Sequence, residues 1–278
     1  MRMRVALWIL CCVLEVCSLR AQKMPSDYFE EAEQFADSNN YTKSAELFQY
    51  IVAHFPKSKL YANPFYNTGY CLFMDKRYDG AAGFFKRILN SNFNEYEKTG
   101  GDIMDDPYAN YRHRACEILT EIYVTKEKYD TALYYFSLAD TAYPYLHFCG
   151  NEYAENDVYK ALKYAGLYTK LDKRDKAIEM LLPAVFVELA DNTAVIKELK
   201  RLLKRRKGLE DELDRAMGAM YPKVIKGGEK SYTYYYFRFL NAEIAVPDSY
   251  EDDETKFDRR ESVKKIKESA FYRMIKTL

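Results

Sequence analysis

The sequence predicts an all-α chain in which helix hairpins stack as a solenoid, closed by a small C-terminal β-hairpin plus helix. Three observations carry this reading. One residue pattern occurs four times between residues 41 and 189. A second helical stripe precedes each copy at a fixed distance. Beyond residue 228 the helical period gives way to the aromatic run Tyr232-Thr233-Tyr234-Tyr235-Tyr236-Phe237-Arg238-Phe239.

At the N-terminus, Arg2 and Arg4 precede an apolar run from Val5 to Leu14, followed by Ser18-Leu19-Arg20-Ala21-Gln22. That order is the order of a secretory signal peptide. The run of 10 residues is too short for a bilayer, which needs about 20. Residues 1–21 are therefore expected to be removed after Ala21, leaving Gln22 first. An acylated lipoprotein through Cys17 is the weaker reading, because Glu15 and β-branched Val16 suit that site poorly. Every later apolar run is broken by charge, so no transmembrane segment is expected in the mature chain. The expected destination lies across the inner membrane, in the periplasm or associated with the cell envelope.

The four copies begin Tyr41-Thr42-Lys43-Ser44, Tyr78-Asp79-Gly80-Ala81, Tyr129-Asp130-Thr131-Ala132 and Arg174-Asp175-Lys176-Ala177. From each fourth residue, apolar side chains follow at four and seven positions: Phe48 and Ile51, Phe85 and Ile88, Phe136 and Ala139, Leu181 and Ala184. Small, then apolar at those offsets, is one face of a helix. A stop follows at Pro56, Phe93, Pro144 and Leu189. Thr42, Asp79, Asp130 and Asp175 are expected as N-caps, with polar turns before them at 37–40, 75–77, 125–128 and 172–173.

The preceding helices read large, small, large: Tyr28, Ala32, Phe35; Phe65, Gly69, Leu72; Cys116, Thr120, Tyr123; Ala161, Ala165, Tyr168. Neither face of such a hairpin is buried alone. Stacking successive copies buries both, which is the logic of a solenoid.

With these residues in place, the chain resembles the tetratricopeptide repeat (TPR) family. Gly69, Ala81, Phe85, Ala132, Phe136, Ala139, Pro56 and Pro144 match the family pattern; Ser44, Ile51, Ile88 and Arg174 depart from it. The resemblance implies a right-handed α-α solenoid whose first helices line a concave groove for a protein or peptide. The copies lie 37, 51 and 45 residues apart, against a family unit of about 34. The surplus is expected between hairpins, at Asn94–Pro107 and Tyr145–Glu155.

After Asp191, Thr193–Lys207 and Leu209–Met220 read as two more helices, a cap or degenerate fifth repeat. The aromatic run then turns at Leu240-Asn241-Ala242 into Glu243–Val246, stopped by Pro247, as a β-hairpin. A helix over about 258–275 ends the chain. The organisation is thus 1–21 signal peptide, 22–192 four hairpins, 193–227 helical cap and 228–278 β-hairpin and helix.

Loss of the signal leaves 39 basic and 41 acidic side chains of the original 42 and 42. A near-neutral surface argues against nucleic acid as partner, since phosphate binding needs clustered positive charge. Cys71, Cys116 and Cys149 are too few for a disulfide framework, and one bridge at most can form. His113 with Cys116 and His147 with Cys149 are the only close ligand pairs, short of the four that structural zinc wants. They read as packed thiols and surface imidazoles, with no metal and no cofactor.

No phosphate loop, zinc-binding His-Glu-x-x-His or nucleophile elbow occurs, so the chain is read as a binder and not an enzyme. Acidic clusters at Asp105-Asp106 and 251–254 read as solvated loops. The basic run Lys200–Lys207 is expected to pair with Glu210-Asp211-Glu212 and Asp214 on the next helix. That pairing favours a structural role for the run over membrane or nucleic-acid contact.

Carried onto this sequence, the family's groove-facing positions include Tyr66, Tyr70 and Phe73, then Arg114 and Glu117, then Tyr159. Aromatic rings beside a guanidinium anchor peptides and partner loops. The expected function is an extracytoplasmic protein- or peptide-binding scaffold or adaptor of unknown oligomeric state. The alternatives are the recognition arm of an enzyme, or a carbohydrate binder stacking sugars on tyrosine.

Overall fold

Helices form at all four copies of the repeated pattern, in a computed structural model that describes residues 23–59, 61–98, 107–147, 149–227, 230–248 and 257–278. The signal segment, the acidic pairs at 105–106 and 251–254, and part of the first insertion lie outside the described residues. Hairpins pair α1 (Pro25–Asp37) with α2 (Tyr41–His54), α3 (Ala62–Met74) with α4 (Tyr78–Leu89), and α7 (Gly150–Lys170) with α8 (Arg174–Leu181), while α5 (Tyr111–Thr125) and α6 (Tyr129–Thr141) follow one another in the chain at the third copy of the pattern. Ala32, Ala81, Ala132, Ala165 and Ala177 are completely buried, as are Ser44 and Thr120 at the equivalent small positions. Among the described residues no helix is long and apolar enough to cross a membrane.

Each hairpin turn closes in the same way without glycine. Asn39, Lys76, Glu127 and Asp172 take left-handed φ of 59°, 60°, 56° and 56°. The N–H after each donates to a carbonyl five residues back: Asn40 to Phe35, Arg77 to Leu72, Lys128 to Tyr123, Lys173 to Tyr168. This double-bonded helix ending satisfies the last carbonyls of the first helix. It also fixes where the second helix starts, and so corrects the expected caps. Thr42, Asp79, Asp130 and Asp175 are second residues of their helices, while Asn40, Arg77, Lys128 and Lys173 occupy the cap position. The three aspartates still favour the positive helix end, and Thr42 donates to Asp75 at 2.8 Å.

The chain divides into two compact units, one of residues up to Asn94 with Tyr111–Ile122, the other of Glu95–Asn110 with Tyr123 onward. In the first unit α1 through α4 pack in sequence. Gly69 lets α3 and α4 meet closely: a Cβ there would sit 3.1 Å from Phe84 Cβ and 3.1 Å from Phe85 Cζ. Between hairpins, Ser44 on α2 and Cys71 on α3 share a buried hydrogen bond of 3.2 Å.

In the second unit, α7 is longer than expected because Gly150–Glu155, predicted as insertion, are helical. Pro183 converts the end of α8 into a 3-10 turn over Leu182–Phe186. Leu189, predicted to close that hairpin, is 70% exposed with φ 63°, and closes nothing. Helices α9 (Thr193–Leu203) and α10 (Leu209–Gly218) follow. Residues 221–227, expected within the helical cap, form strand β1 (Tyr221–Gly227), paired antiparallel with β2 (Lys230–Phe239), which pairs with β3 (Ala242–Ala245).

The predicted hairpin is therefore the β2–β3 part of a three-stranded sheet ordered β1-β2-β3, to which β1 adds the other edge. Its turn at Leu240 and Asn241 has φ 48° and 67°, the backbone that tight hairpins need. β1 lies at a sheet edge, with Pro222, Lys223, Val224, Ile225 and Lys226 all exposed. The terminal helix is broken: α11 (Arg259–Glu268) and α12 (Ala270–Lys276) flank Ser269, which is extended. Ser269 Oγ accepts from Tyr272 N at 3.1 Å and so caps α12. One continuous core joins α7, α8, α9, α10, the sheet and α12.

Candidate functional site

Tyr66 lies on α3, one position past the buried Phe65, and so presents its ring beside the packing stripe. That ring meets Phe85 at 5.7 Å and 69°, and Tyr111 at 6.0 Å and 58°. Burial pushes its hydroxyl up to about 12, while the Arg114 guanidinium, which donates to it, pulls the other way. Tyr70 and Glu117 act on the same hydroxyl electrostatically. One helical turn onward, Tyr70 is 40% exposed, and burial of its remainder raises its hydroxyl as well.

Arg114 and Glu117 come from one face of α5. Glu117 also faces His113 across 3.7 Å. His113 is only 6% exposed and His147 7%, which corrects the expectation of surface imidazoles. Both sit where an apolar neighbourhood and a polar partner coexist: His147 Nδ1 accepts from Cys149 N at 3.0 Å, and its ring stacks on Tyr145. Cys71 and Cys116 are buried, and Cys149 is partly so; none of the three is in a disulfide. Burial raises the Cys71 thiol, against the Ser44 hydrogen bond, the reverse of what a nucleophile needs. Among the described residues no three His, Cys, Asp or Glu side chains converge on a metal position.

The structure thus gathers Tyr66, Tyr70, Arg114 and Glu117. Phe73 turns to Tyr78 of its own hairpin, with centroids 6.0 Å apart. Tyr159 belongs to the other unit, where it is 40% exposed and meets Phe136 edge-on. A phenol and guanidinium locked together, with an exposed second phenol and a carboxylate beside them, can offer donors, an acceptor and aromatic area to a peptide.

The basic run behaves otherwise than predicted. Glu210 and Asp214 of α10 pair with Lys276 and Lys267, and both also accept from Tyr272. Their carboxylates point to the C-terminal helices and not back to α9. Arg201 bonds Glu198 within its own helix, and Arg206 approaches Asp175 at 3.8 Å. Lys204 and Arg205 have no ion pair among the described residues. The sequence signal that marks this region is Arg174, the one departure from an aromatic residue at the opening of a second helix.

The sequence matches no protein-family model and no curated relative. Solved structures similar to it include the MamA RS-1 ArsTM double mutant, 15% identical over 66% of this chain and 85% of that one, with TM-score 0.48. A single-residue variant of nearly identical TPR-like repeats, from a putative kinesin light chain of Podosopora anserina, is 12% identical over 70% and 94%, with TM-score 0.47. A thermophilic TPR protein of Thermus thermophilus is 15% identical over 70% and 90%, with TM-score 0.39. The hairpin fold rests on this chain's own helices.

Proposed function

We propose that this chain is an extracytoplasmic scaffold that binds a protein or peptide without catalysing a reaction. The observation that carries this reading is the set around Tyr66. A hydroxyl fixed by Arg114, an exposed Tyr70 ring and the Glu117 carboxylate stand together on α3 and α5. Ordered aromatic and guanidinium groups of this kind dominate binding energy at interfaces. The extracytoplasmic part rests on the signal-like order of residues 1–21, and mass determination of the mature chain in its host tests it. A chain starting at Gln22 is expected; a retained N-terminus would refute export by this route.

Peptides selected from a display library against residues 22–278 provide the test of the surface. Tyr70→Ala with Arg114→Ala should abolish their binding at unchanged helicity. Tyr66→Phe, which keeps the ring packing, should weaken it. Undiminished binding by both variants would remove the surface from consideration.

A further inference from the structure

Arg174 stands where Tyr41, Tyr78 and Tyr129 open the other second helices. Its guanidinium reaches α9 and donates through Nε at 2.7 Å, and through Nη2, to the Leu202 carbonyl. That contact fixes Arg174 on the rim of a cavity of about 290 Å³, whose walls include Thr169, Asp172, Arg201, Lys204 and Arg205. The size falls at the small end of ligand pockets, which begin near roughly 300 Å³.

The charges there do not cancel. Glu198 pairs with Arg201, and Asp172 is the one carboxylate among the wall residues, against four cations. Lys204 and Arg205 remain, without an ion pair among the described residues. Two surplus positive charges match a phosphate monoester, which carries about −1.5 to −2 at neutral pH. A single carboxylate would leave half of that surplus unmet.

A second observation is independent of charge. Thr68, Thr120 and Thr141 each donate to the carbonyl four residues back, at 2.7, 2.8 and 2.7 Å. Thr169, in the last turn of α7, does not: its Oγ1 is sealed from solvent and has no hydrogen-bond partner. Buried hydroxyls are ordinarily satisfied, and threonine in a helix holds two side-chain rotamers. Thr169 lines the pocket wall, and a switch to its second χ1 rotamer is the step that would turn the unspent hydroxyl into the cavity.

We propose that this pocket binds the phosphoryl group of a small soluble ligand, with Lys204 and Arg205 supplying charge, Arg174 a fixed rim, and Thr169 a hydroxyl donor. Charge-assisted bonds from arginine and lysine are the strong ones for phosphate. The proposal does not depend on the Tyr66 surface, which lies on other helices.

The mature chain, titrated with inorganic phosphate against chloride at constant ionic strength, tests it by calorimetry and thermal shift. Saturable heat and a rising Tm with phosphate are expected. Lys204→Ser with Arg205→Ser, both on exposed side chains, should weaken binding about tenfold or more, a loss on the scale of one strong contact. Thr169→Val should weaken phosphate binding yet raise Tm in its absence, while Thr169→Ser should bind as the parent does. A parent chain that answers phosphate and chloride alike would overturn the site, and so would a double variant that binds phosphate undiminished. Unchanged affinity in Thr169→Val would overturn the donor role assigned to its hydroxyl.

Discussion

The side-chain amide of Asn110 pairs with both backbone groups of Leu146: Nδ2 donates to its carbonyl at 3.0 Å, and Oδ1 accepts its N–H at 2.9 Å. Asn110 is fully buried and left-handed, with φ 48°. Its own loop folds back on Glu95 and Glu97 through backbone bonds. The chain just after the first insertion is thus stitched to the second by one amide that imitates a peptide.

Asn110→Ala should accordingly cost about 2–4 kcal/mol. It deletes two buried hydrogen bonds, leaves both Leu146 groups unmet, and puts alanine in a conformation that asparagine tolerates better. Urea unfolding of parent and variant measures this. A loss below about 0.5 kcal/mol would mean that water replaces the amide freely.

Two glycines in adjacent helices should respond with opposite signs. Gly69→Ala forces a Cβ within 3.1 Å of Phe84 and Phe85, and overpacking of that kind costs about 1–3 kcal/mol. Gly83 in α4 has open space around its missing side chain, so Gly83→Ala should stabilise by about 0.5–1 kcal/mol from helix propensity alone. Thermal melts of the pair report both.

Alkaline pH should destabilise the first unit through Tyr66. Its folded value is raised from 10.0 to about 12, so the unfolded chain gives up that proton first. The contribution is intact below pH 10 and fades as pH climbs toward 12, by about 2–3 kcal/mol in total. Tyr66→Phe should flatten the stability profile in that window. Parallel profiles for parent and variant would show that another group governs alkaline unfolding.

Glu127→Gly should raise Tm slightly. A left-handed L-residue costs roughly 1–2 kcal/mol, against about 0.5–1 for the extra freedom of glycine when unfolded. The net gain of a few tenths to about 1 kcal/mol is the test of whether the four hairpin turns are held in place by their hydrogen bonds against backbone strain. A lower Tm in the variant would point to the Glu127 side chain instead.

The hairpins were legible because burial acts through a period that the sequence displays: Ala81, Phe85 and Ile88 share a face whatever surrounds them. The caps fall two positions before the expected residues because the turn is decided in the backbone, at residues such as Lys76 whose side chains do not announce a left-handed φ. β1 escaped notice since Pro222 interrupts it. The burial of His113, and the pairing of Asp214 with Lys267 in place of the basic run, depend on neighbours distant in sequence. The nearness of Arg114 to Tyr66 agrees with the positions that the family resemblance implied, whereas the turn of Phe73 toward Tyr78 had no signal in the sequence.

The edge position of β1 has a consequence for how copies of this chain behave when crowded. A free row of peptide groups flanked by Val224 and Ile225 is a template for an incoming extended chain. Pro222 withholds one N–H, and Lys226 brings like charge against any second β1 laid alongside, while Lys223 is paired with Glu243. Resistance to edge-to-edge growth is therefore expected to rest on Pro222 and Lys226, two surface residues that contribute nothing to the interior.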